Sequence, residues 1–301
     1  MKRIVCFLLV IMLIGSAAFL IFGRQEDHPA YALLSDRVSA DNIFDFSDLR
    51  ESLENYSVSF DGGGKVSIYF EYLPTQTAIR INDDLESIAA SLMKIPVVMS
   101  AYKLAESGKL DLDSQIPLKK EWLNSQFGTL YKEGAGYKIS LREAVRLAMK
   151  DSDNTAILAI QSSLETAGGS YDDSLKFMDL GYDVSDDGRV LISARSYTSV
   201  LKCLYYSCYL SPKDSQEILG YLTESTFHNR LTAMLPKEVK VAHKIGTFSD
   251  SNQSDCGIFY LANRNYALCV YVRSADPSAS SAIADISKIT YKFVENMKPE
   301  K

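Results

Sequence analysis

The hydrophobic period of this sequence switches twice, and that limits the folds open to it. Residues 65–73 (KVSIYFEYL) and 77–82 (TAIRIN) are β-branched and aromatic, and Pro74-Thr75-Gln76 separates them. They predict a hairpin, with Gly62-Gly63-Gly64 marking a turn before it. From Ser91 to Pro236 the period is helical, and strand character then returns over 239–247, 255–262 and 266–273. A final helix is expected over 280–297, with Ile283, Ile286, Ile289, Thr290 and Phe293 on one side. Two early strands and three late ones around a helical insert imply one five-stranded antiparallel sheet completed by both ends of the chain. The fold class is therefore mixed α/β (α+β), a sheet flanked by helices plus an all-helical part. The expected division is an N-terminal segment over 1–24, a tether and first helix over 25–57, and a main domain over 58–301. The sheet part of that domain takes 58–89 and 236–301, and its helical part 90–235.

Several helices can be placed individually. Leu49 and Leu53 lie one turn apart in a short helix over 48–56, and Ile95, Val98, Met99 and Tyr102 share a face of a helix ending at Gly108. Ser140 and Glu143 form a capping box ahead of the stripe Leu141, Ala144, Val145, Ala148 and Met149. Further helices are expected over 155–164, closed by Gly168-Gly169, over 193–210, and over 212–223 with Ser211 as cap.

The 301 residues are 47% hydrophobic and carry a net charge of −6, enough apolar material for a sizeable core. No basic cluster follows the N-terminus, which argues against a nucleic-acid partner, because phosphate binding depends on concentrated Lys and Arg. Lys2-Arg3 precedes an uncharged apolar run over 4–22. At about 1.5 Å per residue that run nearly spans a bilayer. The basic flank places the rest of the chain outside, so the expected location is the cell membrane, single-pass, with an extracytoplasmic main domain. The small residues Gly15-Ser16-Ala17-Ala18 offer the competing reading of a cleaved signal and a secreted protein. Cys203 and Cys208 do not share a helical face and are expected to fill the core as small hydrophobes. Cys256 and Cys269 sit in consecutive strands and could meet, but sequence does not fix the register, and a bond between them is not the favoured reading. The cysteine spacing suits no common zinc pattern, and no metal or cofactor is expected.

Ser91-x-x-Lys94 is weak evidence alone, because Ser100/Lys103 and Ser199/Lys202 repeat it and chance predicts about 2.4 copies. Ser152-Asp153-Asn154, in a break between two helices, has a chance expectation of about 0.09. For Lys244-Ile245-Gly246-Thr247, at the end of a strand, the figure is about 0.17. Order and placement add to the counts, with a helix start, then an interhelix loop 61 residues later, then a strand after the helical block.

With these three motifs the sequence resembles the class A β-lactamases and the wider penicillin-recognising serine enzymes, whose set is S-x-x-K, S-D-N and K-T-G in that order. The resemblance covers about residues 61–297 and implies the β-lactamase/transpeptidase-like fold. It implies Ser91 as nucleophile, Lys94 as its base, and an oxyanion hole from the backbone N–H groups of Ser91 and Thr247. Ser152 would pass the proton to the leaving nitrogen and Lys244 would crowd Lys94, lowering its pKa together with partial burial. Asn154 would bind the substrate's amide side chain, with Gly246 and Thr247 beside it, while Asp153 is read as a brace for the loop. His243 is read as a packing or orienting residue.

Two departures matter. Ile245 replaces the usual Thr or Ser and removes a hydroxyl that commonly meets the substrate carboxylate, a contact Thr247 could supply. The second concerns the family's Glu-x-x-Leu-Asn loop, whose Glu activates the deacylating water. The corresponding interval 181–193, GYDVSDDGRVLIS, has no Glu, and its Asp183, Asp186 and Asp187 read as a solvated turn. Losing a positioned base costs about 10²–10⁴ in rate. The leading expectation is a serine hydrolase acylated at Ser91 by β-lactams that deacylates slowly. A D-Ala-D-Ala carboxypeptidase or similar amidohydrolase acting on peptidoglycan stem peptide is the alternative. A non-catalytic wall-binding or sensory module is the third reading, with little physical need for five intact site residues.

Overall fold

The early and late strands meet in one sheet. In the computed structural model, which describes residues 44–61, 66–249, 252–274 and 279–298, helix α1 (Ser47–Asp61) precedes the hairpin of β1 (Val66–Tyr72) and β2 (Thr77–Ile81). Strand β3 (Glu86–Ile88) leads through a 3₁₀ turn, Ala90–Met93, into α2 (Lys94–Glu106). A small ladder of β4 (Gln115–Pro117) and β5 (Lys138–Ser140) is followed by α3 (Leu141–Lys150), α4 (Asn154–Thr166) and α5 (Asp173–Phe177). The hairpin of β6 (Asp183–Val184) and β7 (Val190–Ser193) then pairs with β3, ahead of α6 (Ala194–Tyr205) and α7 (Pro212–Thr223). Strands β8 (Lys240–Ser249), β9 (Asn252–Tyr260) and β10 (Tyr266–Val272) and helix α8 (Ala279–Asn296) complete the described fold.

The large sheet has the order β2-β1-β10-β9-β8 and is antiparallel throughout. Its central strands are covered on both faces. Ile68, Phe70, Leu268 and Val270 pack toward α1 and α8, while Tyr69, Cys256, Ala267 and Cys269 face the helical core. Every residue of β1 and β10 is buried, so these strands read as near-continuous apolar runs rather than alternating ones. Helix α2 is buried all round from Lys94 to Tyr102, with α3, α4 and α5 packed against it. Strand β8 lies at the open edge of the sheet, where its backbone can face a cleft.

Both cysteine readings need correction. Helix α6 ends at Tyr205, five residues short of the expected end, because Ser207 takes a left-handed conformation (φ +56°). The Cys208 N–H then bonds the Cys203 carbonyl at 2.9 Å and the Ser207 N–H the Leu204 carbonyl at 3.1 Å, a Schellman motif. The reversal folds Cys208 back over Cys203, and the two form a disulfide. The sheet register places Cys256 opposite Cys269, and they too are bonded. The capping box is half realised: Ser140 accepts the Glu143 N–H, but the Glu143 carboxylate pairs with Arg146. Among the described residues no helix is long and apolar enough to cross a membrane. The apolar run over 4–22 and the turn at Gly62-Gly63-Gly64 lie outside the described residues.

Candidate active site

Ser91 sits on the 3₁₀ turn between β3 and α2, a turn held from several sides. The Ala89 N–H bonds the Val190 carbonyl at 2.9 Å, and the Tyr197 hydroxyl donates to the Leu92 carbonyl at 3.1 Å. Ala90, just before the serine, adopts φ +46°, a conformation costing a non-glycine residue roughly 1–3 kcal/mol and common where geometry is imposed for function. Ser91 lines a cleft of about 270 Å³ together with Lys94, Gln126, Phe127, Asn154 and Thr247. The other two Ser-x-x-Lys copies are spent on structure. Ser100 donates to the Pro96 carbonyl and Lys103 to Glu106, while Ser199 donates to the Arg195 carbonyl and Lys202 pairs with Glu71.

Lys94, one turn beyond Ser91, is 5% exposed. Its ammonium donates to the Ser152 carbonyl, to Ser152 Oγ at 3.1 Å and to Asn154 Oδ1 at 2.7 Å. Three protons thus have three acceptors, so Lys94 can take a proton from a hydroxyl only after releasing one of its own. Lys244 Nζ donates to the same Ser152 Oγ at 2.7 Å. Both lone pairs of that hydroxyl are then engaged, and its single proton is left to point elsewhere. Ser152 is fully buried and held at φ +53°, which keeps its side chain between the two lysines.

Burial pushes the Lys94 pKa down to about 7, partly opposed by the charge of Asp153. Lys244 falls well below its ordinary value, first through burial and then through repulsion from Lys94 and Arg230, opposed by Asp255. Burial acts first on both lysines, and the repulsion between their ammoniums is mutual, so each favours the neutral form of the other.

Asp153 braces the loop. Its Oδ1 caps α4 by accepting the Ala156 N–H at 2.9 Å, and its Oδ2 accepts the Leu130 N–H at 2.9 Å. Gly128 packs so closely that an added Cβ would come within 2.0 Å of that carboxylate. Asn154 gives its carbonyl oxygen to Lys94 and its amide to Asn124 Oδ1 at 3.3 Å, so it orients the base as well as lining the cleft. Gly246 lets β8 approach the nucleophile turn, since a Cβ there would lie 2.9 Å from the Ala89 carbonyl oxygen and 2.4 Å from Ser254 Oγ. Thr247 Oγ1 accepts a hydrogen bond from Arg230 at 2.6 Å.

Arg230 and Asp255 carry no signal that the sequence pattern exposes. Arg230 is a single cation in an irregular segment, and Asp255 merely opens a strand. Folded, Arg230 is 4% exposed and donates to the carbonyls of Gly246 and Ser254 beneath β8. Asp255 is fully buried and accepts from the Leu231 N–H at 3.1 Å, with His243 Nδ1 2.9 Å from its other oxygen. His243 is thereby an oriented structural residue. The basic side chains of Lys94, Lys244 and Arg230, with two buried carboxylates, Asp153 and Asp255, acting on them, form an electrostatic seat for an anionic group. Arg230 places positive charge where Ile245 removes a hydroxyl.

The interval 181–193 forms the β6–β7 hairpin. Asp186 and Asp187 lie exposed at its tip, Asp187 pairing with Arg189 across a turn with Gly188 at φ +81°. Asp183 faces Glu86 at the base and raises its pKa along with burial, which acts first. Among the described residues, those lining the Ser91 cleft include no carboxylate.

A sheet completed by both chain ends, with a serine, two lysines and a second serine at its edge strand, defines a serine hydrolase of β-lactamase fold. A profile of the β-lactamase enzyme family (Beta-lactamase2) matches residues 48–294, and the chain belongs to that family. β-Lactamase VEB-1 of Pseudomonas aeruginosa is 24% identical over 247 residues, covering 72% of this chain and 81% of that protein. The structure superposes on a PBP-A L158E variant, solved as its acyl-enzyme complex with penicillin G, with a TM-score of 0.74 and 22% identity. That match covers 83% of this chain and 97% of the other. A β-lactamase from Chitinophaga pinensis gives a TM-score of 0.73 at 20% identity over 82% and 99% of the two chains. The fold is thus the expected class A β-lactamase-like one.

Proposed function

We propose that the protein is an extracytoplasmic serine acyl-enzyme that takes β-lactams at Ser91 and releases the product slowly. The observation that carries this reading is the pairing of Ser152 Oγ with both Lys94 and Lys244 beside a cleft without a lining carboxylate. Neutral Lys94 takes the Ser91 proton as Oγ attacks the carbonyl, and the Ser152 hydroxyl delivers a proton to the leaving nitrogen. Lys244 and Arg230 attract the substrate carboxylate, while the N–H groups of Ser91 and Thr247 stabilise the oxyanion. Hydrolysis of the ester then lacks a carboxylate positioned to activate water, which leaves its barrier about 3–5 kcal/mol higher.

Two disulfides fit an oxidising compartment, and the apolar run over 4–22 fits an anchor in the cell membrane. A D-Ala-D-Ala carboxypeptidase is the second reading, favoured by the same cationic seat, which suits a peptide ending in a free carboxylate. The test is labelling with a fluorescent penicillin beside a Ser91→Ala control. Label is expected in the wild type and absent from the control, and a wild type that takes none contradicts the reading. Release of D-Ala from a stem-peptide analogue would favour the second.

A further inference from the structure

The cleft that exposes Ser91 does not reach all of its chemistry. Ser152 is fully buried and Lys244 and Arg230 are 1% and 4% exposed, and none of the three lines the cleft. Two contacts between opposite walls shut them in. On the helical side, Phe127 sits on a loop whose Phe127 carbonyl accepts the Asn154 N–H at 3.1 Å. On the other side, Phe227 follows α7, and its ring lies 5.9 Å from Lys244 Nζ. The two rings meet at 6.2 Å between centroids. One residue earlier, the Thr226 N–H bonds the Lys150 carbonyl at 3.2 Å and Thr226 Oγ1 bonds Asp151 at 3.1 Å. This segment is therefore tied to the stretch that leads into Ser152.

We propose that Phe127, Phe227 and Thr226 together close the cationic end of the cleft. Phe227 then becomes a specificity-determining residue that admits acyl donors whose leaving group ends at a carboxylate and excludes those whose chain continues beyond it. The inference rests on the acyl-enzyme reading. A short leaving group with a terminal carboxylate needs only a small parting of the rings to bring that carboxylate to Lys244 and Arg230. A longer one must push the paired aromatic side chains apart and displace a hydrogen-bonded segment. The closure commits the site to cleaving a terminal unit from a chain and bars it from cutting within one.

The test compares two thioesters, hippuryl-thioglycolate and its analogue lengthened by glycine, which moves the carboxylate outward. In each, Ser91 Oγ forms an ester to the hippuryl carbonyl, the C–S bond breaks, and the serine proton ends on the departing sulfur. Thiol release and intact mass report acylation. The wild type is expected to prefer the short donor, and Phe227→Ala to shift that ratio toward the long donor by about tenfold or more, equivalent to about 1.4 kcal/mol. Phe127→Ala is expected to shift it in the same direction. Unfolding midpoints are followed for both, and a loss of fold alone would not reorder the donors. An unchanged ratio in both variants overturns the proposal, because the cations alone would then set the preference. So does a wild type that accepts the long donor equally or accepts neither. Failure of penicillin to label Ser91 counts against the underlying reading instead.

Discussion

At the scale of single residues, the chemistry turns on a lysine kept close to neutral by burial. With its pKa near 7, Lys94 is predominantly cationic below that value and a competent base above it. The acylation rate should therefore rise through pH 7 and level off. Stopped-flow acylation across pH 5.5–9 checks this, and Lys94→Ala should lose the rising limb along with about 10²–10⁴ of the rate. The same burial has a stability consequence of definite sign. Unfolded, a lysine holds its proton to about 10.5, so between about 7 and that value the unfolded chain binds more protons. Stability from this residue then rises with pH across the window and is flat below it. A second residue-scale prediction concerns Gly246. Alanine there must displace both Ser254 Oγ and the Ala89 carbonyl, so it should cost about 1–3 kcal/mol by urea unfolding and slow acylation by moving β8 off the nucleophile turn.

Elements decide where these residues stand, and here the sequence was unequally legible. Helices α3, α6 and α7 begin at Ser140, Ser193 and Ser211, each accepting an N–H of the first turn; Ser140 and Ser211 are visible as caps before any fold is known, while Ser193 reads only as the start of its helix. The five strands of the large sheet are legible because each spans five residues or more with β-branched or aromatic side chains. The ladders β4–β5 and β3–β7–β6 are not, since two- to four-residue strands carry too little pattern. Ser207 hid the end of α6, because nothing in its type announces a left-handed conformation, and with it went the Cys203–Cys208 bond. Within the site, Ser91, Lys94, Ser152, Asn154 and Lys244 stand out through motif spacing. Arg230 and Asp255 stay hidden because only tertiary packing brings them under β8. Asp153 gives the element-scale prediction. Asp153→Ala removes a helix cap and strands the buried Leu130 N–H, so it should destabilise by about 2–4 kcal/mol in denaturant titration. Alkylation under denaturing conditions without reductant should leave all four bonded cysteines unmodified, and modification of either pair would contradict the assigned bonds.

Across the described residues, the fold brings the early and late strands into one sheet and lays its edge strand along the start of a buried helix. The three motifs converge from a helix start, an interhelix loop and a strand. What that arrangement omits is as specific as what it assembles. The interval expected to hold a deacylating acid is a hairpin whose tip carboxylates face solvent. The carboxylate that acts on Lys94, Asp153, has both oxygens engaged by backbone N–H groups. The proposed function predicts that acylation and release are uncoupled, and the lifetime of the Ser91 adduct measures that uncoupling directly. Intact mass spectrometry after a short pulse of penicillin G and removal of excess drug should show one adduct per chain, absent in Ser91→Ala. It should persist for many minutes. Clearance within seconds would contradict the account, since it would require a deacylating carboxylate, which the described residues lining this cleft do not include.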